Sequence, residues 1–437
     1  MIHSVRQQED ILKKLNIAAL NPMQEEAISV IKNTENSILL SPTGTGKTLA
    51  FLLPMIAGLN PASVEVQALI LVPSRELAIQ IEQVVRSMGS GFKVNAVYGG
   101  RPLSKDKIEL KHTPAILIGT PGRILDHFEG GRFSVAHIRC LILDEFDKSL
   151  ETGFEQEMAT ILEQIPQVVK RILTSATQGV KIPAFVRLKN PKTIDYLQDK
   201  RHSKLVLKTV QSQGENKQNT LAALLAHIGA KQGIVFCNLK ITIEELSTYL
   251  ERKKIQNSCF SGGMEQRDRE RSLIKFRNGT SQVLIATDLA ARGIDIPEIN
   301  HVIHYELPKA VEDFIHRNGR TARVNNEGTA YIIQGLNERM PSFVKNSTLL
   351  KSIKKVPYTP STWETVFVSG GRKDKISKGD IAGLFCKQGG LTNEQLGVIE
   401  LKQDCAFVGV AKDKAAALTD KLNNSRLKKK KVRITII

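Results

Sequence analysis

Long apolar runs are missing from this sequence. None approaches the ~20 residues that cross a bilayer; the longest, Ala50 to Leu59, has ten residues and a proline inside it. The first residues, MIHSVRQQEDILKK, lack an apolar core ahead of a small-residue cleavage site, so neither a membrane span nor a secretory leader is expected. Cysteine is scarce and scattered: Cys140, Cys237, Cys259, Cys386 and Cys405, with no CxxC pair. That excludes a disulfide framework or a zinc knuckle and makes a reducing cytoplasm the expected compartment. Acidic residues are in short supply, 44 against 62 Lys plus Arg, for a net charge of +18. Such a field favours polyanions, nucleic acid before an anionic membrane surface. What is present is ordinary for a globular chain, 41% apolar and 24% charged, which excludes broad disorder. At 437 residues the chain exceeds one core, and roughly 150 residues per domain gives two to four domains.

Up to about residue 355, short β-branched runs alternate with longer amphipathic stretches, the pattern of parallel sheets with crossover helices. Strands are predicted at Ser37–Leu40, Ala68–Val72, Val94–Tyr98, Ala115–Ile118, Cys140–Leu143 and Arg171–Thr174. The polar stretch Tyr196–Lys204 reads as a linker. Alternation restarts at Gly233–Cys237, Asn257–Phe260, Val283–Ala286, His301–His304 and Thr329–Ile333. A second boundary falls at the proline-flanked Lys354–Trp363. The remainder reads β (Thr365–Ser369), helix (Lys378–Gly389), β (Leu396–Leu401), β (Cys405–Val410), helix (Lys412–Asn423), β (Lys431–Ile436), the ferredoxin-like order that RNA-recognition domains use. The expected domains are 1–200, 205–356 and 361–437. The last is the most basic, with 15 basic and 8 acidic residues.

The sharpest motif is SPTGTGKT, Ser41 to Thr48, between a strand and a helix. Its glycines let backbone N–H groups approach phosphates, Lys47 brings charge to the β- and γ-phosphates, and the Thr48 hydroxyl suits magnesium. A nucleoside triphosphate site follows. CLILDEFD, Cys140 to Asp147, then ends a strand with two carboxylates at the sheet edge where a P-loop also lies. Asp144 is placed to hold Mg²⁺, and Glu145 to polarise the attacking water. The second α/β unit has no P-loop but carries ATDLAARGIDI (Ala286–Ile296) and HRNGRTAR (His316–Arg323). Arg320 and Arg323, three apart, are expected on one helix face, both reaching one phosphate group.

In series and order these motifs resemble the DEAD-box RNA helicases of superfamily two. The set comprises Gln24 in LNPMQ, SPTGTGKT, PSRELA (Pro73–Ala78), Gly99-Gly100, TPGR (Thr120–Arg123), DEFD, SAT (Ser175–Thr177), VFCN (Val235–Asn238), Gln266 with Arg269, ATDLAARGID and HRNGRTAR. The resemblance covers about residues 15–340. It implies an α/β fold of two RecA-like parallel-sheet domains in tandem, here followed by a small ferredoxin-like (RRM-type) α+β domain. It implies RNA-stimulated hydrolysis of ATP to ADP and phosphate with Mg²⁺ as cofactor.

Carried over by position, Lys47, Asp144, Glu145, Arg320 and Arg323 are the catalytic set. Gln24, Thr43, Gly44, Thr45, Gly46, Lys47, Thr48 and Asp295 bind ATP, with Thr48 and Asp144 at the metal. Asp147, Ser175, Thr177 and His316 couple nucleotide to RNA. Pro73, Arg75, Gly100, Thr120, Gly122 and Arg123 touch RNA from the first domain, and Gln266, Arg269, Thr287 and Arg292 from the second. Contacts to sugar and phosphate would make binding sequence-blind, and 2′-hydroxyl contacts would favour RNA. Three departures stand out. Phe146 replaces the alanine of the DEAD element, which is expected to alter coupling more than chemistry. Ile17 replaces an adenine-stacking aromatic, and the first 50 residues contain no phenylalanine upstream, so adenine selection rests on Gln24. Asn318 and Ala322 replace the usual isoleucine and glycine.

The C-terminal course resembles the tail of the DbpA-like subgroup, which implies anchoring to a hairpin of large-subunit ribosomal RNA. Phe367 and Phe407 fall at stacking positions, each worth ~1–3 kcal/mol if a base stacks there. The run Arg426–Arg433, with Lys428, Lys429 and Lys430, is expected to carry much of the affinity. The expected partners are thus RNA and pre-ribosomal particles, with no membrane, for a monomer. Two alternatives stay open: a general messenger- or decay-associated helicase with a non-specific basic tail, and a non-catalytic RNA chaperone.

Overall fold

The structure, a computed structural model, describes residues 7–42, 44–177, 181–197, 204–212, 216–288, 299–321 and 327–437. Thr43, Arg292, Asp295, Ala322 and Arg323 lie outside the described residues. The chain divides into two compact units.

The first unit holds a seven-stranded sheet: β1 (Asn36–Leu40), β2 (Ala68–Leu71), β3 (Val94–Val97), β4 (Ile116–Gly119), β5 (Cys140–Leu143), β6 (Lys170–Ser175) and β7 (Lys192–Asp195), in the order β3-β4-β2-β5-β6-β1-β7. Its paired strands are parallel. Helices cover both faces, so β2, β4 and β5 are buried along their whole length and read as unbroken apolar runs. Alternation still sorts the side chains: Ala68 and Ile70 join one core, Leu69 and Leu71 the other. The carboxyl ends of β1 to β6 and the loops leaving them carry the P-loop, Pro73, Gly99-Gly100, Thr120, Asp144 and Ser175, all on one edge.

The second unit repeats the plan with β8 (Lys204–Gln211), β9 (Gly233–Phe236), β10 (Asn257–Phe260), β11 (Val283–Ala286), β12 (His301–His304), β13 (Glu327–Gln334) and β14 (Thr348–Leu349), in the order β10-β11-β9-β12-β13-β8-β14. These pairs are parallel too. Strands β7, β8 and β14 depart from the sequence expectation. In β7 only Ile194 is buried, β14 is two exposed residues at an edge, and β8 opens at Lys204, the last residue of the expected linker.

A four-stranded antiparallel sheet completes the second unit: β15 (Trp363–Val368), β16 (Leu396–Leu401), β17 (Ala406–Ala411) and β20 (Ile434–Ile436), ordered β16-β17-β15-β20. That is the expected ferredoxin-like arrangement. The basic run differs from the single strand expected, because β18 (Arg426–Leu427) and β19 (Lys430–Lys431) form a small hairpin before β20. No helix among the described residues is long and apolar enough to cross a membrane.

Candidate functional site

The phosphate loop is assembled from two segments. Gly44 and Gly46 both take positive φ, and a Cβ on Gly46 would collide with the Gln24 amide. Gln24 opens the helix Pro22–Asn33 in a capping box with Asn21: its N–H donates to Asn21 Oδ1 (2.9 Å), and its Oε1 accepts from the Asn21 N–H (3.0 Å). From there Gln24 Nε2 donates to the Gly46 carbonyl (3.2 Å) and Asn21 Nδ2 to the Thr45 carbonyl (3.0 Å). The adenine-reading candidate is thus tied to the loop that would hold the phosphates. Ser41, standing where a glycine is usual, is buried and shares a 2.7 Å hydroxyl contact with Thr45. Lys47 Nζ donates to the carbonyls of Ser41 (2.5 Å) and Pro42 (2.8 Å), so its ammonium is anchored within the loop. Ile17 packs on the core behind this segment.

Asp144 follows β5 and is buried; burial pushes its carboxyl above the usual range, against the Thr174 hydrogen bond and Lys47, which lower it. Thr174 is a residue that the sequence reading missed. Its hydroxyl donates to Asp144 Oδ1 and accepts from the Glu145 N–H (3.1 Å), so one side chain sets both carboxylate-bearing residues. The signal lay in register: β6 pairs with β5, which puts Thr174 beside Asp144. Glu145 takes a left-handed backbone (φ 49°, ψ 50°) at the start of the helix Phe146–Glu151, a costly conformation for a non-glycine residue. Asp147 accepts from Thr177 Oγ1 (3.0 Å), while Ser175 Oγ accepts from the Thr177 N–H (3.0 Å). The DEFD and SAT elements are therefore bonded directly. Phe146 is buried in the core beneath them. Among the described residues no three His, Cys, Asp or Glu side chains gather into a metal cage. Mg²⁺ needs none, because it is held by one or two protein oxygens plus phosphates and water; Asp144 and Thr48 fit that sparse set.

Farther along the same edge, Arg75 lies over Gly99 and Gly100, where Gly100 has φ +78° and a Cβ would strike the guanidinium. Arg123 Nε donates to the Tyr98 carbonyl (3.2 Å) and its NH2 to the Arg101 carbonyl. Thr120 stands at the N-cap position of the helix Pro121–Glu129, without a side-chain capping bond, and that helix carries Gly122.

In the second unit Gln266 opens the helix Gln266–Arg277. Arg269, one turn on, is buried with its guanidinium 4.8 Å from the Phe260 ring centroid. Thr287 follows β11 at the carboxyl edge. Arg317 was missed by the sequence reading although it sits inside HRNGR. It is fully buried, pairs with Asp288 through Nε (2.6 Å) and NH2 (2.5 Å), and reaches Asn238 Oδ1 (2.8 Å) and the Glu306 carbonyl (2.5 Å). One guanidinium thus joins the VFCN, ATD and HRNGR elements. Asn318, the departure from isoleucine, accepts from His304 Nε2 at 2.9 Å. Its polarity is answered by a buried histidine. His316 and Arg320 are both buried. The expected shared helix face is corrected here: the helix Val311–Asn318 ends before Arg320, which lies in the following turn.

The stacking positions Phe367 and Phe407 lie on a sheet face that is partly covered. The face of β15 and β17 that carries Trp363, Thr365, Phe367 and Phe407 is turned to the segment after the helix Gln266–Arg277. Thr365 Oγ1 lies 2.7 Å from Thr280 Oγ1 and 3.4 Å from Asn278 Nδ2. Arg277 grips Glu400 on the neighbouring strand at 2.6 and 2.9 Å. Ser361 donates to the Gly279 carbonyl (2.5 Å), and a Cβ on Gly279 would sit 3.4 Å from Trp363. Phe407 is 7% exposed, Phe367 is half-buried, and the rings pack on each other at 5.6 Å. By contrast the lysine hairpin is at the surface. Lys428 bonds Asp380 (2.8 Å) and Lys430 bonds Asp374 (2.7 Å), while Lys429 is exposed at the turn.

Known proteins resemble this arrangement throughout. Residues 21–184 match the DEAD/DEAH box helicase family, 216–325 the helicase conserved C-terminal domain, and 365–436 the DbpA RNA binding domain. The ATP-dependent RNA helicase DbpA of Bacillus subtilis is 30% identical, over 97% of this chain and 96% of the relative. Its counterpart in Escherichia coli is 29% identical over 98% and 96%. Among solved structures, Dbp5 of S. cerevisiae bound to RNA and ADP BeF3 aligns with TM-score 0.67 and 28% identity, covering 75% of this chain and 88% of that one. Mss116p bound to ssRNA and AMP-PNP aligns at 0.66 and 27%, covering 76% and 73%. With a P-loop, a DEFD element bonded to SAT, and a DbpA-type tail in one chain, the protein belongs to the DEAD-box ATP-dependent RNA helicases, in their DbpA-like subgroup.

Proposed function

We propose that this helicase remodels large-subunit ribosomal RNA during assembly of the ribosome, acting as a cytoplasmic monomer whose C-terminal domain holds an RNA hairpin. The observation that carries this reading is the concentration of exposed positive charge at one end of that domain. Arg372 and Lys373 lie in the turn Arg372–Asp374, where their N–H groups bond the carbonyls of Lys402 and Gln403, and Lys375 follows it. Lys428 donates to the Lys375 carbonyl (2.6 Å), which brings the lysine hairpin to the same end. A folded, compact basic end suits a structured hairpin better than a loose tether does.

In the motor, Lys47 neutralises the triphosphate, and Thr48 with Asp144 would hold Mg²⁺, which supplies charge stabilisation to the transferred phosphoryl group. Glu145 takes the proton from the attacking water, and Arg320 and Arg323 offset the charge that develops. Because those arginines belong to the other unit, hydrolysis requires the two units to close. A non-catalytic chaperone is disfavoured by the intact Lys47, Asp144 and Glu145.

The test compares ATPase stimulation of the full chain by large-subunit ribosomal RNA and by mixed messenger RNA. A preference of about tenfold, lost in a variant carrying K373A, K375A and K429A, is expected from three phosphate contacts. Equal stimulation by both RNAs in the unaltered protein returns the general-helicase alternative.

A further inference from the structure

The helix Leu103–Leu110 buries an acid completely: Asp106 has no exposed surface. Three groups converge on its carboxylate. Arg101 Nε lies 3.2 Å from Oδ1, while Arg123 Nε at 3.4 Å and His127 Nε2 at 3.2 Å face Oδ2. His127 is equally buried, and Arg132 NH1 lies 3.1 Å from its Nδ1. A guanidinium only donates, so Nδ1 accepts and the ring hydrogen on Nε2 points at Asp106. Two further carboxylates border the cluster, Glu109 on Arg101 and Asp126 on Arg123 and Arg132. Asp106 alone is shared by Arg101, Arg123 and His127.

Each of these arginines passes the constraint on to backbone. Arg123 donates to the carbonyls of Tyr98 and Arg101, on either side of Gly99-Gly100, and Arg101 NH1 donates to the Ala96 carbonyl (3.3 Å) in β3. Arg123 Nε, NH1 and NH2 therefore all face acceptors within the protein, the third being Asp126 Oδ2 at 3.4 Å. Such a residue is better suited to holding a loop than to meeting a phosphate. A buried carboxylate persists only where it is paired on this scale, and here the pairing joins two chain segments.

We propose that Asp106 is a positioning residue of the RNA grip: through Arg101 and Arg123 it locks the Gly99-Gly100 turn against the start of the helix Pro121–Glu129, so that both present their backbone to one RNA strand. This rests on reading those two segments as RNA contacts.

The experiment measures RNA-stimulated ATPase of the full chain. In D106N, which keeps the shape and removes the charge, the RNA concentration for half-stimulation should rise about tenfold, with kcat at saturating RNA and KM for ATP within about twofold. R101Q should show the same split at about threefold, and adding R101Q to D106N should cost nothing further, because the two act through one network. R101Q also serves should D106N fail to fold. An unchanged RNA requirement in R101Q or in folded D106N overturns the proposal, as does a parallel loss in KM for ATP, which would mark general damage. R75A separates the two readings. If R75A weakens RNA while D106N does not, the positioning role alone fails; if R75A has no effect, this surface is not where RNA lies.

Discussion

Thr174 shows how little a site can need in order to be set. Its hydroxyl both donates to Asp144 and accepts from the N–H of Glu145, whose left-handed backbone turns the chain sharply out of β5. Replacing Thr174 by valine keeps the volume but leaves the carboxylate and the N–H without that bond, and a lost bond to a charged group costs ~1.5–3 kcal/mol. T174V should therefore slow hydrolysis by about ten- to a hundredfold while ATP affinity changes little, as single-turnover phosphate release and nucleotide titration would reveal. At the same scale E145Q should retain ATP and RNA binding and lose turnover. Normal phosphate release from that variant would remove Glu145 as the base.

Elements show what the sequence could and could not disclose. Strands such as β5 and β12 announce themselves because burial on both faces demands unbroken apolar runs, and their predicted limits coincide with those observed. Strands β7 and β14 do not, since an edge strand with one buried residue or none has no periodicity to display. Candidate catalytic positions can be nominated from sequence wherever chemistry restricts the residue type, as at Lys47 and Asp144. Supporting positions cannot: Thr174, Arg317 and Asp106 are defined by what lies across the fold, even where, as for Arg317, the residue stands inside a motif. Phe367 and Phe407 show the reverse case: a stacking position is read locally, whereas the cover that a neighbouring domain gives their sheet face at Thr365 and Glu400 is not.

Strand β12 carries a further consequence. His301 and His304 are buried at its two ends, and burial lowers their pKa values to about 4 and about 3. His301 lies against Gly233 on the adjacent strand, while His304 stacks on Phe314 at 4.7 Å. Both pKa values sit below that of an unfolded histidine, ~6.5, so the unfolded chain takes up protons that the folded strand refuses. Stability is complete above that pH and declines as pH falls towards 4 and then 3, by up to ~1.4 kcal/mol per pH unit for each ring. Urea midpoints at pH 7.5 and 5.0 should show the second unit weakening, with the slope reduced in H304N.

At the scale of the molecule, the helix Gln266–Arg277 runs between two duties. Its first turn bears Gln266 and Arg269, nominated for RNA, and its last residue is clamped to Glu400 in the C-terminal domain. Breaking that clamp should leave each part competent and spoil their cooperation. In R277A, or in E400Q, binding to ribosomal RNA and ATPase on mixed RNA should stay within about twofold, while unwinding of a duplex placed beside the hairpin falls about fivefold or more. A charge swap, R277E with E400R, should restore part of it. Unwinding at the unaltered rate in both single variants would show that the clamp does not matter.

Turning the β15–β17 face inward carries a geographical consequence. A docking module that spends part of its broad side on its neighbour leaves the basic tip as the address reader proposed above. On the proposed reading, a stem held at that tip lies at a set bearing from the second helicase domain, to which the sheet is bonded, and duplexes on the wrong side of the landmark should escape it.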